Sequence, residues 1–214
     1  DFVSIDISNP ASPFIADSLD AHGSPENIAV SGSYAYVVST SDEQEFRIFD
    51  ISDPTNMVQL GFYDAPGTAN ANGVYVVGTT AYVVRESSSA HEFVILNVSN
   101  PSSPTLIGST NLSDSGKEVV VSGNYAYVGT YNSSRELEVV NITNPSSPSI
   151  VGSFNASGDS DSQSIDGTGN IVVLGRNNGH THIINVSNPL SPAQLAYYDA
   201  DDDVEDIDIY AGSS

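Results

Sequence analysis

The sequence predicts an all-β repeat protein, and three observations support this prediction. A short turn motif recurs five times at intervals of 44 to 47 residues, with its prolines at Pro10, Pro54, Pro101, Pro145 and Pro189. Runs of β-branched and aromatic residues, which favour strands, lie between these turns. Gly, Pro, Ser and Asn interrupt the chain every few residues, and no segment keeps a helical period.

Each repeat opens with a predicted hairpin of two strands. Ile28–Val30 and Tyr34–Val38 flank one such turn, and Val119–Val121 with Tyr125–Val128 flank another. A glycine in the connection permits the positive φ that tight hairpin turns require. The first two strands of the unit therefore follow directly from the sequence pattern.

A third and a fourth strand lie on either side of the turn motif. Glu45–Asp50 is an apolar run that leads into Pro54, and Val58–Tyr63 is the short apolar run that follows it. Proline fixes φ and has no amide donor, so it suits a corner or an edge strand. Each repeat thus predicts four antiparallel strands joined by short turns.

Four strands in roughly 44 residues match the blade of a β-propeller. Self-similarity at such a period indicates units that bury their faces against one another. We expect a single propeller domain over residues 1–214, with about five blades. The predicted blade units are residues 21–66, 67–114, 115–158 and 159–203, with a fifth unit split between residues 1–20 and 204–214.

The split unit is predicted to lack one strand. Residues 1–20 supply its last two strands, and Val204–Ile209 reads as its first strand, so no second strand is present. Three interpretations stay open: a five-bladed ring that closes imperfectly, an arc of a larger propeller in a longer chain, or a ring completed by a neighbouring copy. Unpaired strand edges invite association, so self-association is a further expectation.

The order of these elements resembles that of the LVIVD-repeat family of propellers. Val30-Ser-Gly-Ser-Tyr-Ala-Tyr-Val37, followed by an apolar strand and the Asp50-Ile-Ser-Asp-Pro54 turn, carries the resemblance, which covers nearly the whole chain. The family is found in surface and secreted proteins of bacteria and archaea and has no general catalytic motif. The resemblance therefore implies a propeller in an extracellular or cell-surface setting. This chain departs from the pattern by losing the Tyr-Ala-Tyr element in its fifth copy and by placing asparagine at Asn97, Asn141 and Asn185.

Charge and composition exclude several functions. Asp and Glu total 27 against 5 Lys and Arg, a formal net charge of −22, so the surface would repel nucleic acid and anionic membranes. The chain contains no cysteine, which excludes disulfides and thiolate metal sites. No apolar run reaches the roughly 20 residues that span a bilayer, so membrane insertion is not expected.

A ring of polar residues is the sharpest predicted ligand site. One polar residue precedes each predicted innermost strand, where propellers commonly bind ligands at one mouth of the central channel. The predicted ring consists of Glu26, Asn72, Glu118, Asp161 and Glu205. Loops are polar simply because they face water, so a solvated rim is the alternative interpretation.

Acidic clusters suggest calcium as the one candidate cofactor. Asp159 and Asp161 form one cluster, and Asp201 and Asp203 lie in another. Carboxylate-rich loops can supply the six to eight oxygen ligands, roughly, that calcium requires. Neither cluster has the full calcium-loop pattern, so solvated acidic turns are the alternative.

Six Asn-x-Ser/Thr sequons are candidate glycosylation sites. They begin at Asn97, Asn111, Asn132, Asn141, Asn155 and Asn185. Three of them occupy the turn motif, where an asparagine side chain can instead accept a bond from its own backbone, as aspartate does in the first two copies.

We therefore expect a secreted or cell-surface module that binds a protein or glycan partner, or serves a structural role, without covalent chemistry. No Gly-x-Ser-x-Gly elbow, phosphate-binding glycine loop or dinucleotide fingerprint occurs in the sequence. Two alternatives stay open. One is a subunit of an extracellular filament or surface layer, and the other is a calcium-dependent hydrolase or lactonase that uses the polar ring around a metal.

Overall fold

A computed structural model describes residues 1–88 and 90–210, and across these residues the chain forms strands and no helix. The predicted all-β class is confirmed. A two-stranded antiparallel sheet comprises β1 (Phe2–Asp6) and β2 (Phe14–Leu19). None of the described chain forms a helix of the length and apolarity needed to cross a membrane.

Four further sheets each contain four antiparallel strands that pair in chain order, and we call them blades 1 to 4. Blade 1 comprises β3 (Pro25–Ser31), β4 (Tyr34–Ser39), β5 (Phe46–Asp50) and β6 (Val58–Tyr63). Blade 2 comprises β7 (Ala71–Val77), β8 (Thr80–Arg85), β9 (Phe93–Asn97) and β10 (Thr105–Thr110). Blade 3 comprises β11 (Gly116–Ser122), β12 (Tyr125–Thr130), β13 (Leu137–Asn141) and β14 (Ser149–Phe154). Blade 4 comprises β15 (Ser162–Thr168), β16 (Ile171–Arg176), β17 (His180–Asn185) and β18 (Ala193–Asp199).

The first hairpin of every blade turns on a glycine with positive φ. The φ angles lie between 58° and 59° at Gly32, Gly78, Gly123 and Gly169. This left-handed conformation costs an L-residue energy but costs glycine none. The fifth copy of the sequence repeat, which lacks the Tyr-Ala-Tyr element, keeps this glycine at Gly169.

Adjacent blades pack face to face to form a β-propeller. Between blades 1 and 2, Tyr36 and Val38 of β4 lie in one buried cluster with Ala81 and Val83 of β8. Equivalent clusters join blades 2 and 3 and blades 3 and 4. The core is therefore divided among the blade interfaces, as expected for a repeat protein.

The turn motif of one blade docks on the outer strand of the blade before it. At the bulge in β14, a Cβ on Gly152 would collide with the carbonyl oxygen of Pro189 in the next turn motif. A Cβ on Gly61 or Gly108 would likewise collide with the carbonyl oxygen of Pro101 or Pro145 in the next turn motif. Only glycine permits this approach, because any side chain would collide with backbone.

Two interfaces also contain a buried ion pair that the sequence pattern did not predict. Glu45 of blade 1 lies 3.1 Å from Arg85 of blade 2, and Glu136 lies 3.0 Å from Arg176 across the interface of blades 3 and 4. All four side chains are buried, and Arg47 is buried as well. Three of the five basic residues therefore lie inside the protein, together with the four glutamates Glu45, Glu92, Glu136 and Glu138.

The two ends of the chain occupy the position of a fifth blade. The two-stranded sheet packs on blade 1, where Phe2 and Leu19 contact the buried cluster of Ala35, Val37 and Phe49. The prediction of a strand over Val204–Ile209 is wrong, because the structure assigns none to residues 204–210. In blades 1 to 4 the innermost strand pairs only with the second strand of its own blade. Among the described residues, no second strand is present to pair with residues 204–210.

Candidate functional site

The first strands of the four blades surround a central channel. A cavity of about 430 Å³ fills it, lined by Ile28, Ala29, Val74, Tyr75, Val119, Val120, Ile165 and Asp166 from β3, β7, β11 and β15. Asp206, Ile207 and Asp208 line the fifth side. The C-terminal segment thus holds an innermost position although it is not a strand.

A smaller cavity of about 230 Å³ opens at the start of these strands, and we call its lining the channel mouth. The channel mouth comprises Glu26, Asn27, Asn72, Lys117, Glu118, Gln163, Glu205 and Asp206. Each first strand has a register shift at this level, and the bulged residue faces away from the regular ladder. The four bulged residues are Glu26, Asn72, Lys117 and Gln163.

The structure brings together four residues of the predicted polar ring and leaves one out. Glu26, Asn72, Glu118 and Glu205 line the channel mouth, whereas Asp161 does not. The register places Gln163, two residues further on, at the position that was assigned to Asp161. Asp161 instead lies in the loop before β15, where its N–H donates to Asn177, and burial with nearby Asp114 raises its pKa.

Glu118 is the most constrained carboxylate of the channel mouth. It is half-buried, and its oxygens accept hydrogen bonds from the Ile165 N–H at 2.9 Å and from the Asn27 amide at 3.4 Å. Burial raises the pKa of Glu118 above its ordinary value, and the neighbouring Asp206 carboxylate raises it further. A cation at the channel mouth would be favoured, because it would compensate this partly desolvated charge.

The remaining polar groups fix the shape and the charge of the channel mouth. The Asn72 amide donates to the carbonyl oxygen of Gly116 at 2.9 Å and so ties β7 to β11. Lys117 is the single basic residue of the lining, against the four carboxylates of Glu26, Glu118, Glu205 and Asp206. The channel mouth therefore carries an excess of negative charge, and the channel cavity below it has further carboxylates at Asp166 and Asp208 among its apolar side chains.

The predicted calcium ligands gain no support from the described side chains. Within residues 1–88 and 90–210, no three Asp, Glu or His side chains are placed to share a metal ion. Asp159 is exposed, the Asp201 N–H donates to Asp199, and the Asp203 N–H donates to Asp202, as in ordinary acidic turns. Calcium binding stays a prediction, and no observation favours the hydrolase alternative that depends on it.

The sequons in the turn motif have the geometry of Asx turns. Asn97, Asn141 and Asn185 each accept a bond at 2.9 Å from the N–H two residues on, as Asp6 does at 2.7 Å and Asp50 at 2.9 Å. Among the other sequons, Asn111 and Asn155 are exposed, and Asn132 accepts a bond from Ser134. Glycosylation at the six asparagines stays a prediction.

Comparisons with known proteins agree with this architecture. A family model described as LVIVD repeat matches residues 1–21, 22–65, 68–111 and 115–156, well over half of the chain. Blade 4 lies outside the matched residues although its four strands pair as in the other blades. Among curated proteins, no match was found.

Solved structures of designed proteins share the fold. The computationally designed Ika8 protein is 11% identical with a TM-score of 0.57, and the match covers 88% of this chain and 66% of that chain. The computationally designed Ika4 protein is 12% identical with a TM-score of 0.59, and the match covers 78% of this chain and 95% of that chain. At sequence identities this low, the similarity supports a shared fold and does not indicate a shared function.

Proposed function

Because this chain belongs to the LVIVD repeat family and folds as a β-propeller, we propose that it is a secreted or cell-surface binding module without covalent chemistry. Its acidic channel mouth captures a basic side chain of a protein partner. The composition supports an extracellular setting, because a net charge of −22 keeps a protein soluble and discourages unspecific contact with nucleic acid and anionic membranes.

One observation carries the choice of a basic ligand. Four carboxylates and one lysine line the channel mouth, and the pKa of Glu118 is raised by burial and by Asp206. A Lys or Arg side chain would offset this repulsion with its charged head group. A neutral glycan would leave the carboxylates uncompensated, so a protein partner is the better fit.

A binding measurement with a minimal probe tests this proposal. The probe is a labelled peptide with one central lysine among glycines, and the comparison peptide has norleucine in place of the lysine. We expect Glu118→Gln to weaken lysine-peptide binding at least tenfold, since losing a partly buried charge partner costs roughly 2 kcal/mol or more. Lys117→Glu adds a carboxylate to the channel mouth, and we expect tighter binding.

A matched control separates the channel mouth from the general acidity of the surface. Glu43 is exposed and does not line the channel mouth, and Glu43→Gln changes the net charge by the same amount. Binding by the Glu43→Gln variant should equal that of the unmodified protein. If the two variants weaken binding equally, the peptide is held by overall charge and the proposal is wrong.

A second candidate function is a subunit of an extracellular filament or layer. The outward strand β18 of blade 4 is exposed along its whole length, with Leu195 at 57% and Tyr198 at 70% exposure. Apolar surface of this kind favours association. Sedimentation velocity over a wide concentration range tests this role, which predicts oligomers that grow with concentration.

A further inference from the structure

A pocket lies at the outer end of the interface between blades 1 and 2, and we call it the interblade pocket. It has a volume of about 240 Å³, and none of its lining residues lines the channel mouth. Both blades that form it are complete sheets of four strands. Its lining includes Tyr63 and Pro66 from the end of blade 1, and Arg85, Val94, Leu106 and Ser109 from blade 2. Arg85 and Val94 are buried, whereas Pro66 and Leu106 are exposed, so the pocket is open to solvent on one side.

Aromatic rings fill the equivalent place between blades 3 and 4. The ring of Phe154 in blade 3 lies 6.1 Å from that of His182 in blade 4, measured between centroids. Tyr197 stacks on His182 with ring centroids 6.0 Å apart. In blade 2 the register equivalents of His182 and Tyr197 are Val94 and Ser109. The interblade pocket therefore corresponds to the space that these two rings occupy in blade 4.

The ring of His182 presents a hydrogen-bond acceptor to a buried arginine. Its Nδ1–H donates to Gln194 at 2.8 Å, so its Nε2 is left as an acceptor, and this atom lies 3.5 Å from Nη1 of Arg176. Burial lowers the pKa of His182 and the charge of Arg176 lowers it further, although the bond to Gln194 opposes both effects. The group beside Arg176 is therefore a neutral heteroaromatic ring.

Arg85 occupies the equivalent position in blade 2 but has no such ring beside it. Its Nη2 pairs with Glu45 at 3.1 Å, as that of Arg176 pairs with its own glutamate, so its charge is balanced. Its Nη1 donates to the carbonyl oxygens of Pro66 at 3.3 Å and His91 at 3.4 Å, which are longer than the usual roughly 2.9 Å. The interblade pocket thus combines apolar walls with a weakly used donor.

We propose that the interblade pocket binds a small uncharged heteroaromatic molecule, whose ring packs against Tyr63 and whose ring nitrogen accepts a hydrogen bond from Arg85. Tyr63 takes the register position of Phe154, the ring that lies beside His182. The ligand thus supplies the rings that blade 4 carries in its own sequence. An apolar cavity of about 150 Å³ holds benzene, so a pocket of about 240 Å³ has room for a bicyclic ring. A charged ligand fits less well, because Glu45 already balances the charge of Arg85.

Benzimidazole is the probe, because it has two fused rings and one acceptor nitrogen and is uncharged near pH 8. Indole is the matched control, since it has the same size but its nitrogen is only a donor. Methyl-resolved NMR of the unmodified protein follows binding at Val94 and Leu106, which both line the pocket. We expect saturable shifts of these methyl groups with benzimidazole. Indole should bind about fivefold more weakly, because it cannot accept the bond from Arg85.

Two pairs of variants locate the binding. Ser109→Tyr restores the ring that blade 4 has at Tyr197, and we expect it to fill the pocket and weaken benzimidazole binding roughly tenfold or more. Ser153→Tyr makes the same change at the register equivalent in blade 3, which does not line the pocket, and should leave binding unchanged. Tyr63→Leu removes the packing ring and should weaken binding about fivefold, whereas Tyr63→Phe keeps the ring and should bind as the unmodified protein does.

The proposal is wrong if benzimidazole produces no saturable shifts at Val94 and Leu106, or if indole binds equally well. Equal binding by Ser109→Tyr and the unmodified protein would also overturn it, because the probe would then lie elsewhere. Circular dichroism checks that the variants are folded, and if Ser109→Tyr is not, the comparison of Tyr63→Leu with Tyr63→Phe still decides whether ring packing holds the probe. None of these results depends on lysine-peptide binding, since the two sites share no lining residue.

Discussion

The ion pair between blades 3 and 4 should contribute strongly to stability, and Arg176→Met tests this expectation. Arg176 lies 3.0 Å from Glu136, and both side chains are fully buried. The guanidinium also donates to the carbonyl oxygens of Ser157, Gly158 and Ser160. Methionine fills a similar volume but leaves a buried carboxylate without a counter-charge, which typically costs about 3–5 kcal/mol.

The pH dependence of this loss identifies its cause. Burial raises the pKa of Glu136 above the ordinary value of 4.5, and Arg176 opposes the rise. Without Arg176 the folded-state pKa rises further, while the unfolded chain keeps its ordinary pKa. A folded-state pKa above the unfolded one gives stability that is fully present below the unfolded pKa and is lost as pH rises through the folded pKa. The deficit of the variant should therefore be smaller near pH 5 than near pH 8.

Urea unfolding followed by circular dichroism at both pH values measures these deficits. Arg47→Met is the matched control, because Arg47 is also fully buried but donates to His22 and Gln44 instead of a carboxylate. Its deficit should vary less with pH. A deficit of Arg176→Met that is equal at the two pH values would refute the reasoning, since no unpaired carboxylate would then be responsible.

Two further predictions concern the repeat itself. Gly152→Ala should destabilise the protein by about 1–3 kcal/mol or more, because the new Cβ would meet the backbone of Pro189. Ala196→Gly, at the equivalent position of exposed β18, should change the midpoint of thermal unfolding little. Asn141→Asp should preserve stability because aspartate forms the same turn in the first two copies, whereas Asn141→Ala should lose about 1 kcal/mol. Equal loss in the two Asn141 variants, measured by urea unfolding, would show that the turn bond does not matter.

The strand order was predictable from the sequence because each strand has a local signal. The glycine hairpins, the β-branched runs and the Pro-containing turns repeat in fixed order, so even the drifted fifth copy could be placed. The exact ring at the channel mouth was not predictable. The bulge in each first strand has no signal in the sequence, and the register places Gln163, two residues beyond the predicted Asp161, at the equivalent position.

The buried ion pairs were missed for a different reason. Glu45, Glu92 and Glu136 each come directly before the third strand of a blade. A glutamate at the end of an apolar strand is normally predicted to be exposed to solvent. All three are buried, and each accepts a bond at 3.1 Å from an N–H twenty residues on. Arg85 pairs with Glu45 and Arg176 pairs with Glu136 only because the blades pack together. The residues of each pair are about 40 positions apart in the chain, so no local sequence pattern predicts the pairing.

The titration of Glu118 is the most direct test of the acidic channel mouth as a binding site. Carbon-13 NMR of the labelled carboxyl group reports its pKa with and without the lysine peptide. The free protein should show a pKa of Glu118 above the ordinary value of 4.5, because burial and Asp206 raise it. Bound lysine should lower this pKa, since a nearby cation stabilises the carboxylate. A pKa that is ordinary in the free protein, or that does not fall when the peptide binds, would contradict the account.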